Sequence, residues 1–129
     1  MEAENEAGWK VRIDSGPAGG GAGRGVRPNE LLVMGLAGCS GIDILSILSK
    51  QRQELSGFEI ELNAERDFDQ IPAVLVSIHA HYVMRGEVDP EKARRAIELS
   101  LEKYCSVSKV LRKTADITYS FSINGHRYG

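Results

Sequence analysis

Two cysteines, Cys39 and Cys105, are the only thiols among 129 residues, and they stand 66 positions apart. That separation excludes a local Cys-x-x-Cys redox motif. With three histidines in the chain, a four-ligand zinc site would need nearly every donor available. A permanent structural disulfide is uncommon in an intracellular chain. Two readings remain at this point. The thiols are a buried inert pair, since free cysteine is among the most buried residue types, or they are a catalytic pair. Cys39 is flanked by Gly38 and Ser40, small neighbours that leave its sulfur approachable. Cys105 falls between the end of one expected helix and the start of the next, where unpaired backbone N–H groups and the helix dipole favour a thiolate. Either thiol could react. Away from a helix start, Cys39 would need a cation to lower its pKa, and the candidates are Arg24, Arg27 and Arg66. Arginine suits that task because it stays charged and can offer several donors to a thiolate and a peroxide oxygen together. His79 and His81 share one face of an expected strand. They could ligate a metal or face solvent, and no Cys or carboxylate at a typical ligand spacing supports the metal. His126 lies in the tail. No Gly-x-Ser-x-Gly elbow, paired-acid motif or His-Glu-x-x-His is present.

The elements that must carry these residues follow from periodicity. Residues 1–7 are polar and expected to be loosely ordered, after which Trp9, Val11 and Ile13 alternate with polar residues as one short strand. Six glycines and a proline between Ser15 and Gly25 allow neither helix nor central strand, so residues 15–27 read as a mobile loop. That loop lacks a Walker lysine and a dinucleotide spacing, which argues against nucleotide binding. A long helix is expected from Asn29 to about Glu54, apolar nearly all round in its first half and therefore central and enclosed. Its glycines at 35, 38 and 41 form a slowly drifting stripe that predicts a close-packed neighbour. Phe58–Ala64 and Pro72–Gly86 alternate as two strands joined by a hairpin-type connection, hence antiparallel neighbours. Asp89-Pro90-Glu91 opens a helix to about Tyr104. Ser106–Thr114 forms a shorter helix, and Ile117–Ile123 a last strand. The fold class is α+β, in a single domain spanning residues 1–129.

Composition narrows the function. Sixteen Lys plus Arg against eighteen Asp plus Glu give a net charge of −2, and no basic stripe is present, so nucleic acid is not an expected partner. Leu31–Leu48 is long enough for a membrane span, but Asp43, Ser40, Ser46 and three glycines interrupt it, which favours a buried helix. The acidic start Met1-Glu2-Ala3-Glu4-Asn5-Glu6 is unlike a secretory leader, so a cytoplasmic location is expected.

The stretch Asn29-Glu-Leu-Leu-Val-Met-Gly-Leu-Ala-Gly-Cys39-Ser-Gly-Ile-Asp-Ile-Leu-Ser-Ile-Leu48 is followed by Glu65-Arg66, by Leu99-Ser-Leu-Glu-Lys-Tyr-Cys105-Ser-Val and by the closing strand. Over about residues 8–124 this order resembles the OsmC/Ohr family of thiol peroxidases, closest to a branch with Ala-Gly-Gly-Cys and Lys-Tyr-Cys-Ser-Val motifs. The resemblance implies an intertwined α+β homodimer with long central helices wrapped by sheets. It implies Cys39 as the peroxidatic and Cys105 as the resolving cysteine, acting on an organic hydroperoxide or hydrogen peroxide and reset by an external dithiol. No metal, flavin or nucleotide cofactor is required. It also implies an arginine from the preceding loop, Arg24 or Arg27, and a carboxylate ten residues before the reactive cysteine. Here position 29 is asparagine and the acid is Glu30. Leu36, Met34 and Ile42 would offer apolar walls to an alkyl hydroperoxide. The alternative is a dimeric small-molecule-binding or redox-sensing protein of the same fold with little peroxidase activity.

Overall fold

The computed structural model describes all 129 residues, which fall into two compact units, Met1–Met34 and Gly35–Gly129. In the first, β1 (Glu2–Glu4) pairs antiparallel with β2 (Lys10–Arg12), Ala3 opposite Val11. The first seven residues therefore belong to a hairpin rather than a loose tail. Its turn explains why. The Asn5 side-chain oxygen accepts from the N–H groups of Ala7 at 3.1 Å and Trp9 at 2.9 Å, and Gly8 takes a left-handed φ of 89°.

The glycine-rich stretch is likewise organised from within. The Asp14 carboxylate accepts from the backbone N–H groups of Ser15, Ala22 and Arg24 at 2.8, 3.1 and 3.1 Å. These bonds, that of Arg24 foremost, hold the carboxyl below its ordinary pKa. A Cβ at Gly21 would lie 2.2 Å from the Ser15 carbonyl oxygen, so this folded-back path accepts only glycine there.

Helix α1 (Pro28–Lys50) starts with proline at its first position. Glu30 reaches back to accept from the Arg27 N–H at 2.8 Å, half of a capping box. The helix ends four residues before the expected Glu54. Arg52 adopts φ 58°, the Gln53 N–H closes onto the Leu48 carbonyl at 2.9 Å, and the next strand already begins at Glu54. Those are the marks of a left-handed C-terminal cap, with arginine where glycine is usual.

The second unit is built on a four-stranded sheet in the order β3 (Glu54–Arg66), β4 (Leu75–Glu87), β5 (Asp116–Ile123), β6 (His126–Tyr128). β3 and β4 are antiparallel, Ile60 opposite Tyr82, as the alternation implies. β4 and β5 are parallel, a pairing that demands a crossover connection. Helix α2 (Pro90–Leu99), one wide π-type turn (Ser100–Tyr104) and helix α3 (Ser106–Leu111) supply it. Asp89 caps α2 by accepting from the Glu91 N–H at 2.8 Å. His126, expected in a tail, lies on β6 and meets the Tyr128 ring edge-on at 4.7 Å between centroids.

The core of this unit joins Leu36, Ile44 and Leu48 of α1 to Ile78, Ala80, Tyr82 and Met84 of β4 and to Ala93, Ala96 and Ile97 of α2. Of the three glycines, Gly41 alone marks a close approach: a Cβ there would stand 2.9 Å from Ile60 Cδ1 and 3.6 Å from Phe58. Gly38 has open space around it. The expectation of an enclosed α1 holds for one stripe only, since Ile42 is 72% exposed and Leu45 42%. One sheet covers one side of a helix, and this unit has no second sheet.

Candidate active site

Both sulfurs, and the hydrogen bonds that place them, lie in the second unit. Tyr82, fully buried, donates from its hydroxyl to Ser40 Oγ at 2.9 Å, and Ser100 Oγ donates toward the Ser40 carbonyl at 3.3 Å and Asp43 Oδ2 at 3.0 Å. Burial pushes the Tyr82 phenol up to about 12, so it remains a donor. These bonds tie α1, next to Cys39, to β4 and to the wide turn that follows α2. The wide turn after α2 does the same for Cys105. Its N–H bonds the Ser100 carbonyl at 2.7 Å, and the Leu101 carbonyl accepts from Ser108 Oγ at 2.8 Å and Arg112 at 2.5 Å. The chain then turns so that Cys105 becomes the N-cap of α3, its sulfur accepting from the Ser108 N–H at 3.3 Å.

The result is a pair of unbridged cysteines, Cys39 half-buried and Cys105 buried. Their sulfurs and a carboxylate oxygen of Asp43 all lie within 4.8 Å of one another. The Val107 backbone N–H is the foremost of the groups that draw the Cys39 thiol below its ordinary value. The Cys105 thiol and the Ser106 hydroxyl and N–H add to it, and together they outweigh desolvation. Burial, followed by the hydrogen bond it gives Cys39, pushes Cys105 up to about 11. Of the two thiols, Cys39 is thereby the more readily ionised and Cys105 the one that holds its proton.

This corrects the assignment of charge drawn from the sequence. The N–H groups at the start of α3 lower the thiol of Cys39 across the fold, whereas Cys105, although its sulfur accepts from the Ser108 N–H, is pushed up by burial. Arg66 is occupied elsewhere, donating to the Ala73 carbonyl at 2.9 Å and lying over the Phe68 ring. Arg24, Arg27 and Glu30 belong to the first unit. There Arg24 contributes its N–H to Asp14, and Arg27 lies 3.8 Å from Glu30 in an exposed ion pair beside Gly16. Of the apolar walls expected, Leu36 is wholly in the core and Ile42 is exposed. His79 and His81 hydrogen-bond hydroxyls of β5: His79 meets Thr118 at 2.7 Å and Ser120 at 2.9 Å, and His81 meets Ser120 at 2.7 Å. Asp43, Ser106 and the Tyr82–Ser40–Ser100 chain escaped sequence reasoning. The one visible signal was a serine following Cys105 at a helix start, a position whose side chain can accept or donate locally.

A family model described as OsmC-like protein matches residues 19–120. Protein YhfA of Escherichia coli strain K12 is 34% identical over 121 residues, covering 93% of this chain and 87% of its own length. A hypothetical protein from Aquifex aeolicus VF5 has a similar structure, with a TM-score of 0.81 and 29% identity, over 94% of this chain and 84% of that one. A Legionella pneumophila structure described as an organic hydroperoxide resistance protein OsmC superposes with a TM-score of 0.75 at 20% identity, covering 94% and 88%. With helices packed on a sheet as in those structures, and with its sequence matched along most of its length, this chain belongs to the OsmC-like family.

Proposed function

We propose that this protein is a cysteine-based reductase of organic hydroperoxides or hydrogen peroxide, working through a Cys39–Cys105 thiol–disulfide cycle. The observation that carries it is the pair of sulfurs, close enough to bond after a small movement and pushed in opposite directions in pKa. The Cys39 thiolate attacks the distal peroxide oxygen, the O–O bond breaks, and Cys39 becomes a sulfenic acid while the alkoxide takes a proton as alcohol. Cys105 then attacks the sulfenic sulfur, and the hydroxyl leaves as water with the Cys105 proton, forming the disulfide. Two electrons have passed from the thiols to the peroxide. An external dithiol returns them. Like the Legionella relative named for hydroperoxide resistance, the protein would meet alkyl peroxides. We place it in the cytoplasm, where thiols are kept reduced, as a homodimer that covers Ile42 and Leu45.

Cumene hydroperoxide consumption with a small dithiol tests this. The wild-type protein is expected to turn over, Cys39→Ser to be inert, and Cys105→Ser to react once and stop at sulfenic acid or beyond. Oxidation of Cys39→Ser with Cys105→Ser left untouched would reverse the roles, and no consumption by the wild type would favour the binding or sensing alternative.

A further inference from the structure

We infer that the reduced pair, together with Asp43, is a binding site for a thiophilic divalent cation such as Zn²⁺. Cys39 Sγ, Cys105 Sγ and an Asp43 carboxylate oxygen converge within 4.8 Å of one another. Ligand atoms around tetrahedral zinc sit at about 2.0–2.3 Å from the metal. Adjacent ligands are therefore under 4 Å apart, a closure that side-chain rotation on α1 and at the α3 start can supply. Two sulfurs and one carboxylate are a donor set for zinc rather than for magnesium or calcium, which take oxygen. Three donors also leave the fourth tetrahedral position to water, on the half-exposed side of Cys39.

The carboxylate is held from outside the cluster. Ser100, fully buried, donates to Asp43 Oδ2 at 3.0 Å, the kind of outer hydrogen bond that orients a metal-binding carboxylate. Spacing along the chain hides this site, because its donors come from α1 and from the turn between α2 and α3. Binding moves no electrons: the cation takes both sulfurs as thiolates, displaced protons go to buffer, and the two thiolates and carboxylate offset the ion's charge. The ion is not a cofactor of the peroxide reaction. It occupies the sulfur lone pairs and so competes with oxidation. This inference does not depend on peroxidase activity, because binding is read on the reduced protein alone.

Co²⁺ serves as the spectroscopic probe, added to phosphine-reduced full-length protein, with Zn²⁺ displacement to follow. One equivalent per chain should bring up a thiolate-to-cobalt charge-transfer band that Zn²⁺ removes, and the disulfide form should show none. Asp43→Asn should weaken binding roughly tenfold or more, whereas Asp43→Cys should tighten it and intensify the band, a gain that misfolding would not produce. Absence of the band with one equivalent of Co²⁺ would overturn the inference, as would an affinity indifferent to both Asp43 substitutions.

Discussion

Cys39 draws its thiolate character from neutral donors, the N–H groups and hydroxyl at the start of α3. Alkylation should report this. Iodoacetamide reacts with the thiolate, so the Cys39 rate should rise with pH through a midpoint below the ordinary 9.0 and fall away below it, while Cys105 should reach its midpoint only near 11. Ser106→Ala removes one donor to a charged acceptor and should slow Cys39 alkylation at neutral pH on the order of fivefold. Mass spectrometry of each cysteine peptide distinguishes the two sites. Equal pH profiles for both cysteines would contradict the division of roles. Tyr82→Phe tests the support beneath them. It removes the donor to Ser40 and should cost about 1 kcal/mol in urea unfolding.

The elements were legible in the sequence where a local pattern determines them. Asp89-Pro90 announces α2 because an N-cap and a pre-set φ act within one turn, and Asp89→Ala should cost about 1 kcal/mol. The alternation from Ile78 to Met84 marks β4's buried face because a strand has a period of two. Gly41 was half-legible. The glycine stripe announced a close neighbour, but only position 41 has one, at Ile60 and Phe58. Gly41→Val should therefore destabilise by about 1–3 kcal/mol through overpacking, read by thermal unfolding, whereas Gly38→Ala should be neutral or stabilising. What stayed hidden depends on crossings between distant elements. The α3 N–H groups adjoin Cys105 in the chain and reach Cys39 only through the parallel β4–β5 crossover. Likewise Asp43 joins the sulfurs only when α1 and the turn after α2 pack side by side. The N-terminal hairpin was missed because a single side chain, Asn5, makes its turn.

At the scale of the whole molecule, α1 is long and apolar enough to cross a membrane by length and composition, yet one stripe of it is in the core and Ile42 and Leu45 are bare. A second copy of the chain is the covering we propose, since a patch of this kind favours association. Sedimentation equilibrium should give twice 14.1 kDa, and Ile42→Glu with Leu45→Glu should shift the protein to monomer or unfold it. A well-folded wild-type monomer at micromolar concentration would contradict the dimer. The central claim concerns the thiol pair, and titrating reduced protein with one equivalent of cumene hydroperoxide tests it most directly. Free thiols are counted before and after, and the Cys39 and Cys105 peptides are mapped without reduction. The account predicts rapid loss of both thiols per chain and a single Cys39–Cys105 cross-linked peptide; two thiols still free, or oxidation confined to Cys105, would contradict it.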